Sequence, residues 1–416
     1  MFGIKTKIIK EWNSKFTHFC LNKKRIFPLD FLFLNFLAKK KLSAEANLIN
    51  VQSPVIKKTN PFAEKIIRET AAFMPNNLGN WSIKKPYFFT TKLELDVVNF
   101  VKKKYSSNKE IIGHFGSGST EGNIYAAWIG RNYLIKKLSL ENTNKITIIK
   151  SCLAHYSIDK AADIIGVKLI ETSIKQEDFN LDEDELIKKI KKLYNSGIRG
   201  FMIPLTLGYT VSGTDDDFQK INNLVIQFEK EHIDCDFFLW IDAAFSGINK
   251  IFITKKLKPF KNKKVQLITS DFHKFLAVPY PSSIMLYRKN LIKFIKKNIP
   301  YIDQADTTLL GSRPGINILA TWISLANLNE DKIKKELYKS FNKKNQYLKK
   351  IELENLNIKI INNTNSNQAC LISNDQLSAK ILENKFQLQP INYKLLFKNQ
   401  KKTIKLYKLY FLPDFR

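Results

Sequence analysis

The chain has 416 residues, 44% of them hydrophobic and 25% charged, with 30 Phe and 15 Tyr. That apolar and aromatic content excludes a disordered polar chain and is enough for one large core with smaller appendages. The formal net charge is +30, yet only seven of the 68 basic residues are Arg and the lysines run the length of the chain. The excess therefore reads as a compositional bias toward Lys, Ile and Asn; specific nucleic-acid readers lean on Arg forks, and only a weak attraction to acidic surfaces stays open.

Residues 1 to 55 are basic and irregular, and a polar run from Asn50 to Asn60 holds Pro54. The most apolar N-terminal stretch, Ile26 to Ala38, is interrupted by Pro28, Asp30 and Asn35 and is too short to span a bilayer. It reads as a core or dimer-contact helix, with an interfacial anchor as the alternative. No stretch reads as a signal peptide. Beyond it, short runs rich in Ile, Val and Phe alternate with longer amphipathic stretches, the pattern of βα units in an α/β fold with a mostly parallel sheet. Strands are expected at Ile146–Ile149, Val167–Glu171, Gly200–Pro204, Phe237–Ile241, Val265–Thr269 and Ile284–Tyr287. Helices are expected at Thr120–Leu138, Ile158–Ile165 with Ser157 as N-cap, Glu183–Asn195, Asp217–His232 and Pro314–Leu328. From about residue 315 one long helix leads into a mixture of strand and helix. The expected division is a basic, helical segment over 1–60, a large domain over 61–312 and a small C-terminal domain over 313–416. Four distant cysteines (Cys20, Cys152, Cys235, Cys370) lack metal-ligand spacing, so free thiols in a reducing cytoplasm, and no metal, are expected.

Four short segments carry chemistry. The apolar run Phe237–Ile241 ends on Asp242, followed by Ala243 and Ala244, which puts a carboxylate where ligands bind in open α/β sheets. Helix capping is an equal reading of that Asp alone. Ser270-Asp271-Phe272-His273-Lys274 again follows an apolar strand, and a sheltered lysine is a Schiff-base nucleophile. Gly116-Ser117-Gly118-Ser119-Thr120-Glu121-Gly122-Asn123 precedes a helix and suits a phosphate dianion, although a flexible turn is the better reading of it alone. It is neither a Walker loop nor a dinucleotide fingerprint, because the glycine spacing and the preceding strand are wrong. His155, after the strand at 146–149, is the fourth; a packed or solvated histidine is its ordinary reading.

In order and spacing these segments resemble the pyridoxal-phosphate-dependent group II amino-acid decarboxylases, most closely bacterial-type histidine decarboxylases. The matching stretches are GSGSTEGN (116–123), HYSIDKAADIIGV (155–167), GYTVSGTDD (208–216), WIDAAFSGI (240–248), FHKF (272–275) and DTTLLGSRPG (306–315), with weaker similarity at NNLGN (76–80). The resemblance implies a fold type I transferase-like architecture, a small C-terminal α+β domain, a homodimer with its site near the subunit interface, and pyridoxal 5'-phosphate as cofactor. Lys274 would bond the cofactor as a Schiff base, His155 would stack on its ring and Asp242 would pair with the pyridine nitrogen opposite Ala244. Gly118, Ser119, Thr120 and His273 would hold the phosphate. The implied reaction is decarboxylation of an L-amino acid, histidine favoured, to the amine and CO2.

Three features depart from the family pattern. Tyr209 occupies a usual threonine position and brings a phenol to the site. Phe272 replaces a common glycine, with the Asp271 acid beside it, repulsive to phosphate unless it points away. GSRPG (311–315) is more similar to sphingosine-phosphate lyases, which leaves open a carbon–carbon lyase, or an inactive scaffold used for binding. Asp306, Thr307 and Thr308 read equally as a structural loop or as an active-site loop reaching a partner subunit. Arg313 is open in the same way, because an Arg between small residues offers a bidentate anion contact.

Overall fold

The computed structural model describes residues 36, 38–40, 42–43, 51–52, 56, 58–77, 89–106, 108–254, 257–300 and 304–415. The chain divides into two units, residues 1–50 and 51–416. The expected Ile26–Ala38 helix, apart from residues 36 and 38, lies outside the described residues, as do Cys20 and residues 78–80 of NNLGN. In the second unit, α1 (Pro61–Thr70) and α2 (Phe89–Tyr105) precede a seven-stranded sheet. Its strands are β1 (Ile111–Gly116), β2 (Ile146–Ser151), β3 (Lys168–Thr172), β4 (Gly200–Thr206), β5 (Asp236–Asp242), β6 (Val265–Asp271) and β7 (Ser283–Arg288). Their order across the sheet is β1-β7-β6-β5-β4-β2-β3. β2 to β6 run parallel; β7 is antiparallel to both neighbours, β1 and β6.

Alternation along each strand decides which face a side chain serves. In β5, Phe237, Leu239 and Ile241 enter one core, and Phe238 and Trp240 enter the core on the other face. Both faces are covered, which is why the strand reads as one unbroken apolar run. The second face is packed by α3 (Ser119–Lys137) and α4 (Ser157–Ile165). By parity Asp242 points to the α3 side, and so does Asp271, two pairs along from Leu267 in β6. α5 (Glu183–Asn195), α6 (Phe218–Glu231) and α7 (Gly247–Ile253) complete the α/β layers.

The expected elements lie within a few residues of those observed, with three differences. β1 was not expected: its sequence, Ile-Ile-Gly-His-Phe-Gly, is short, holds two glycines and shows no period. It does precede the Gly/Ser loop, as an edge strand against an antiparallel neighbour. Ser157 is the first residue of α4 and not its cap; Tyr156 occupies the cap position without a side-chain bond, because the Ser157 hydroxyl is engaged elsewhere. The expected Pro314–Leu328 helix is α8 (Gly315–Asn327), and a second, longer helix not separately expected, α9 (Glu330–Glu352), follows it. They break at Leu328 and Asn329, where the Asn329 side chain accepts the Lys332 N–H at 2.8 Å. The remainder forms a four-stranded antiparallel sheet, β8 (Ile358–Asn362), β9 (Gln368–Ser373), β10 (Ile391–Phe397) and β11 (Gln400–Tyr410), in the order β8-β9-β11-β10, with α10 (Gln376–Asn384). Among the described residues no helix is long and apolar enough to cross a membrane.

Candidate active site

A cavity of about 290 Å³ opens beyond the carboxyl ends of β4, β5 and β6, at the start of α3. Gly118, Ser119, Thr120, His155, Asp242, Ala244, His273 and Lys274 all line it. Asp242 is buried, and each of its oxygens accepts one protein hydrogen bond: Oδ2 from Asn123 Nδ2 at 2.8 Å, Oδ1 from the Ala244 N–H at 3.1 Å. A buried carboxylate needs such donors. Lys274 Nζ lies 3.3 Å from Asp271 Oδ2 and 4.2 Å from the centre of the Phe245 ring.

The start of α3 is built for an anion. Gly118 takes the cap position with φ +98, a conformation that L side chains rarely adopt, and no side chain caps the helix. Its own N–H goes to Ser283 Oγ at 2.9 Å, and Ser119 and Thr120, which follow it, line the cavity. α3 also approaches β6 closely: a Cβ on Gly122 would lie 2.2 Å from Thr269 Oγ1.

Asp271 points inward, toward this loop. Ser119 Oγ donates to its Oδ1 at 2.7 Å, and Lys274 Nζ and His273 Nε2 flank Oδ2 at 3.3 and 3.4 Å. The acid therefore does not point away from the loop; it lines the cavity, with a hydroxyl and a lysine amine beside it. Tyr209 is buried and turned into its own turn, where its hydroxyl donates to both oxygens of Asp216 at 2.9 Å; the phenol is tied down although the residue borders the cavity.

Burial holds the His155 imidazole below its ordinary pKa; Lys274 and Lys160 lower it further, against Asp242 and Asp271. Burial also lowers His273, over the opposing Asp271 charge. Both rings are therefore neutral near pH 7. Burial pushes Tyr280, which closes the cavity beside Pro281, up to about 12.

Other expected residues lie elsewhere. Arg313 is buried and pairs with Glu94 at 2.7 Å; Glu94 also accepts from the Phe115 N–H and Asn77 Nδ2, each at 2.7 Å. The guanidinium is a brace between α2 and β1 and is not among the lining residues of the cavity. Thr308 bonds Asp306 through both its N–H and hydroxyl, and the Thr307 carbonyl accepts from Tyr125 OH at 2.7 Å; this loop does not line the cavity either. Among the described residues no cluster suits a metal ion. Sequence reasoning missed Asn123 as a site residue, although it falls one helical turn after Ser119 on the same face of α3, a spacing that was readable.

The residues present fit a phosphorylated pyridine aldehyde: uncapped N–H groups for a phosphate, a buried carboxylate for a ring N–H, an amine for the aldehyde and a flat imidazole for the ring face. The chain matches the family described as "Pyridoxal-dependent decarboxylase conserved domain" over residues 74–370. It is 33% identical over 237 residues to the tryptophan decarboxylase of Clostridium sporogenes, covering 56% of this chain and 54% of that protein. It is 29% identical over 274 residues to the histidine decarboxylase of Solanum lycopersicum, covering 63% and 61%. The matched stretches thus span between half and two thirds of these relatives' lengths, and histidine decarboxylases do not stand apart from others. In fold, the chain superposes on the L-methionine decarboxylase of Streptomyces sp.590 with a TM-score of 0.78 at 17% identity, covering 95% and 94% of the two chains. The sequence match over most of the chain and a cavity fitted to pyridoxal phosphate lead to one conclusion: this protein belongs to the pyridoxal-dependent decarboxylase family.

Proposed function

We propose that the protein decarboxylates an L-amino acid, with histidine the leading substrate, to the amine and CO2. The observation that carries this reading is the convergence of Lys274, Asp242, His155 and the uncapped start of α3 on one cavity. Bound pyridoxal phosphate supplies an electron sink for the pair left at Cα when CO2 departs. Lys274 would supply the amine that holds the aldehyde and a proton donor for Cα. Asp242 keeps the ring nitrogen protonated by charge pairing, for which its two N–H donors leave lone pairs available. Gly118, Ser119, Thr120 and His273 would hold the phosphate, and His155 and Ala244 would pack against the ring.

The walls support a planar, weakly polar side chain. Leu153, Tyr156, Phe245 and Tyr280 line the cavity, and Lys274 is the one Lys or Arg among its described lining residues, so an acidic side chain has no cation of its own. Histidine meets that requirement; so does an aromatic substrate. Arg313, in the GSRPG stretch that raised the lyase alternative, pairs with Glu94 and does not line the cavity. Free thiols at Cys152, Cys235 and Cys370 support a reducing compartment, and the family resemblance supports a homodimer.

Two measurements test the reading. The purified protein with cofactor, incubated with single amino acids, should release CO2 with histidine or an aromatic amino acid; no release from any of the twenty would remove the proposal. The visible spectrum should show a lysine-bound cofactor band that Lys274→Ala abolishes, and a variant keeping the same band would remove the role given to Lys274.

A further inference from the structure

Behind the cavity wall, four side chains form a chain of hydrogen bonds whose direction can be read without seeing a hydrogen. Trp240 Nε1 lies 2.9 Å from Asn123 Oδ1. An indole N–H can only donate, so that Asn123 atom is the acceptor oxygen and the amide orientation follows. The Asp242 carboxylate at the amide's other end demands a donor and agrees. Asn123 Nδ2 then places its two hydrogens on Asp242 Oδ2 and Ser157 Oγ, each at 2.8 Å. Since Ser157 Oγ accepts from Asn123, its own proton is available for His155 Nδ1, 2.9 Å away. The Ser157 backbone N–H also faces Nδ1, at 3.3 Å. Two donors therefore converge on Nδ1, and the imidazole proton belongs on Nε2. Asn123, Ser157 and Trp240 are buried, so water does not compete for these bonds.

We propose that Trp240, Asn123 and Ser157 form a directed relay that holds His155 as its Nε2–H tautomer while the same Asn123 amide clamps Asp242. Asn123 is thus a positioning residue for both the imidazole and the carboxylate of the site. Protonating Nδ1 would turn a proton against two donors, which adds to burial in keeping the ring neutral. The charges facing the ring are Asp242, Asp271, Lys274 and Lys160, of both signs. On the decarboxylase reading, on which this consequence rests, Nε2–H offers the substrate a neutral donor. A neutral donor holds a carboxylate less tightly than an imidazolium and so opposes its departure less.

The test uses the full chain without cofactor, labelled with ¹⁵N-histidine; the chain has five histidines, and His155→Gln assigns the resonance. At pH 8 the wild-type ring should give well-separated ¹⁵N shifts with the proton on Nε2. The double variant Trp240→Phe/Asn123→Leu removes donor and acceptor together, which limits the folding penalty. It should move the tautomer ratio toward Nδ1–H by about fivefold, the scale of one net hydrogen bond, drawing the two shifts together. Ser157→Ala, which removes the hydroxyl donor itself and leaves the backbone N–H in place, should move it the same way by at least as much and serves if the double variant does not fold. A wild-type ring protonated on Nδ1, or a folded variant with the wild-type pattern, overturns the relay. Because this readout needs neither cofactor nor substrate, failure of CO2 release would leave it standing, and failure of the relay would leave the proposed reaction untouched.

Discussion

Asp242 and Asp271 are both buried at strand ends, and their neighbours divide their work. Asp242 accepts from an amide and a backbone N–H, donors that satisfy it without carrying charge. Its negative charge is left for a cationic ring. Replacing it as Asp242→Asn should lower kcat on the order of 100-fold, the scale of losing one preorganised electrostatic partner, with a smaller change in cofactor affinity; steady-state kinetics and a cofactor titration separate the two. Asp271 is instead balanced by Ser119 and Lys274. Its removal leaves a buried hydroxyl and an amine without their partner, so Asp271→Ala should cost about 1–3 kcal/mol in urea unfolding. The sequence marked Asp271 as atypical, yet its sense depended on which face of β6 it occupies and on what α3 brings to that face.

At the scale of elements, the site depends on how α3 and α2 are seated. Gly122 lets α3 lie against β6; Gly122→Ala should cost about 1–3 kcal/mol as an overpacked contact and weaken cofactor retention by shifting the anion-binding turn, seen as faster cofactor loss on gel filtration. The Arg313–Glu94 pair locks α2 to the strand leading into that turn. Breaking it alone, as Arg313→Met, leaves a buried carboxylate and should cost about 3–5 kcal/mol. Arg313→Met/Glu94→Leu should recover much of that loss, as the urea midpoint would report. Both elements were partly legible. The Gly/Ser loop before a helix was evident as a pattern, whereas the Arg between small residues read equally as an anion contact, because a buried partner 219 positions away leaves no local trace.

At the scale of the whole molecule, full or partial burial disfavours the charged form of three imidazoles among the described residues. Burial lowers His114, His155 and His273, and the Arg313 charge adds to the effect at His114. The unfolded chain therefore binds more protons than the folded one between the ordinary histidine pKa of about 6.5 and the lower folded values. The histidine contribution should decline as pH falls through that range, while Asp216 and Glu229, pushed up to about 7 by burial, act in the opposite sense over the same window. Lowered carboxylates such as Asp236 and Glu183 lose their contribution only at more acid pH, so the two windows separate. The difference isolates the histidine part: relative to wild type, His114→Phe should raise the urea midpoint at pH 5 more than at pH 8. The formal charge of +30 acts on the same scale: self-repulsion predicts a rise in Tm when salt is added at constant pH.

The order of apolar strands and amphipathic helices, the chemistry-bearing strand ends and the family motifs were all determined by the sequence alone, because each is a local pattern that backbone geometry turns into structure within a few residues. The tertiary structure decided the rest. β1 became a strand by pairing with β7, which supplies hydrogen bonds that its short run does not advertise. Tyr209, Arg313 and Ser157 took roles set by Asp216, Glu94 and Asn123, partners that only the folded chain brings within reach. A side chain's chemistry is written in its type, but its protonation, direction and partner depend on what the opposite face of a sheet or helix presents, and that is a property of packing.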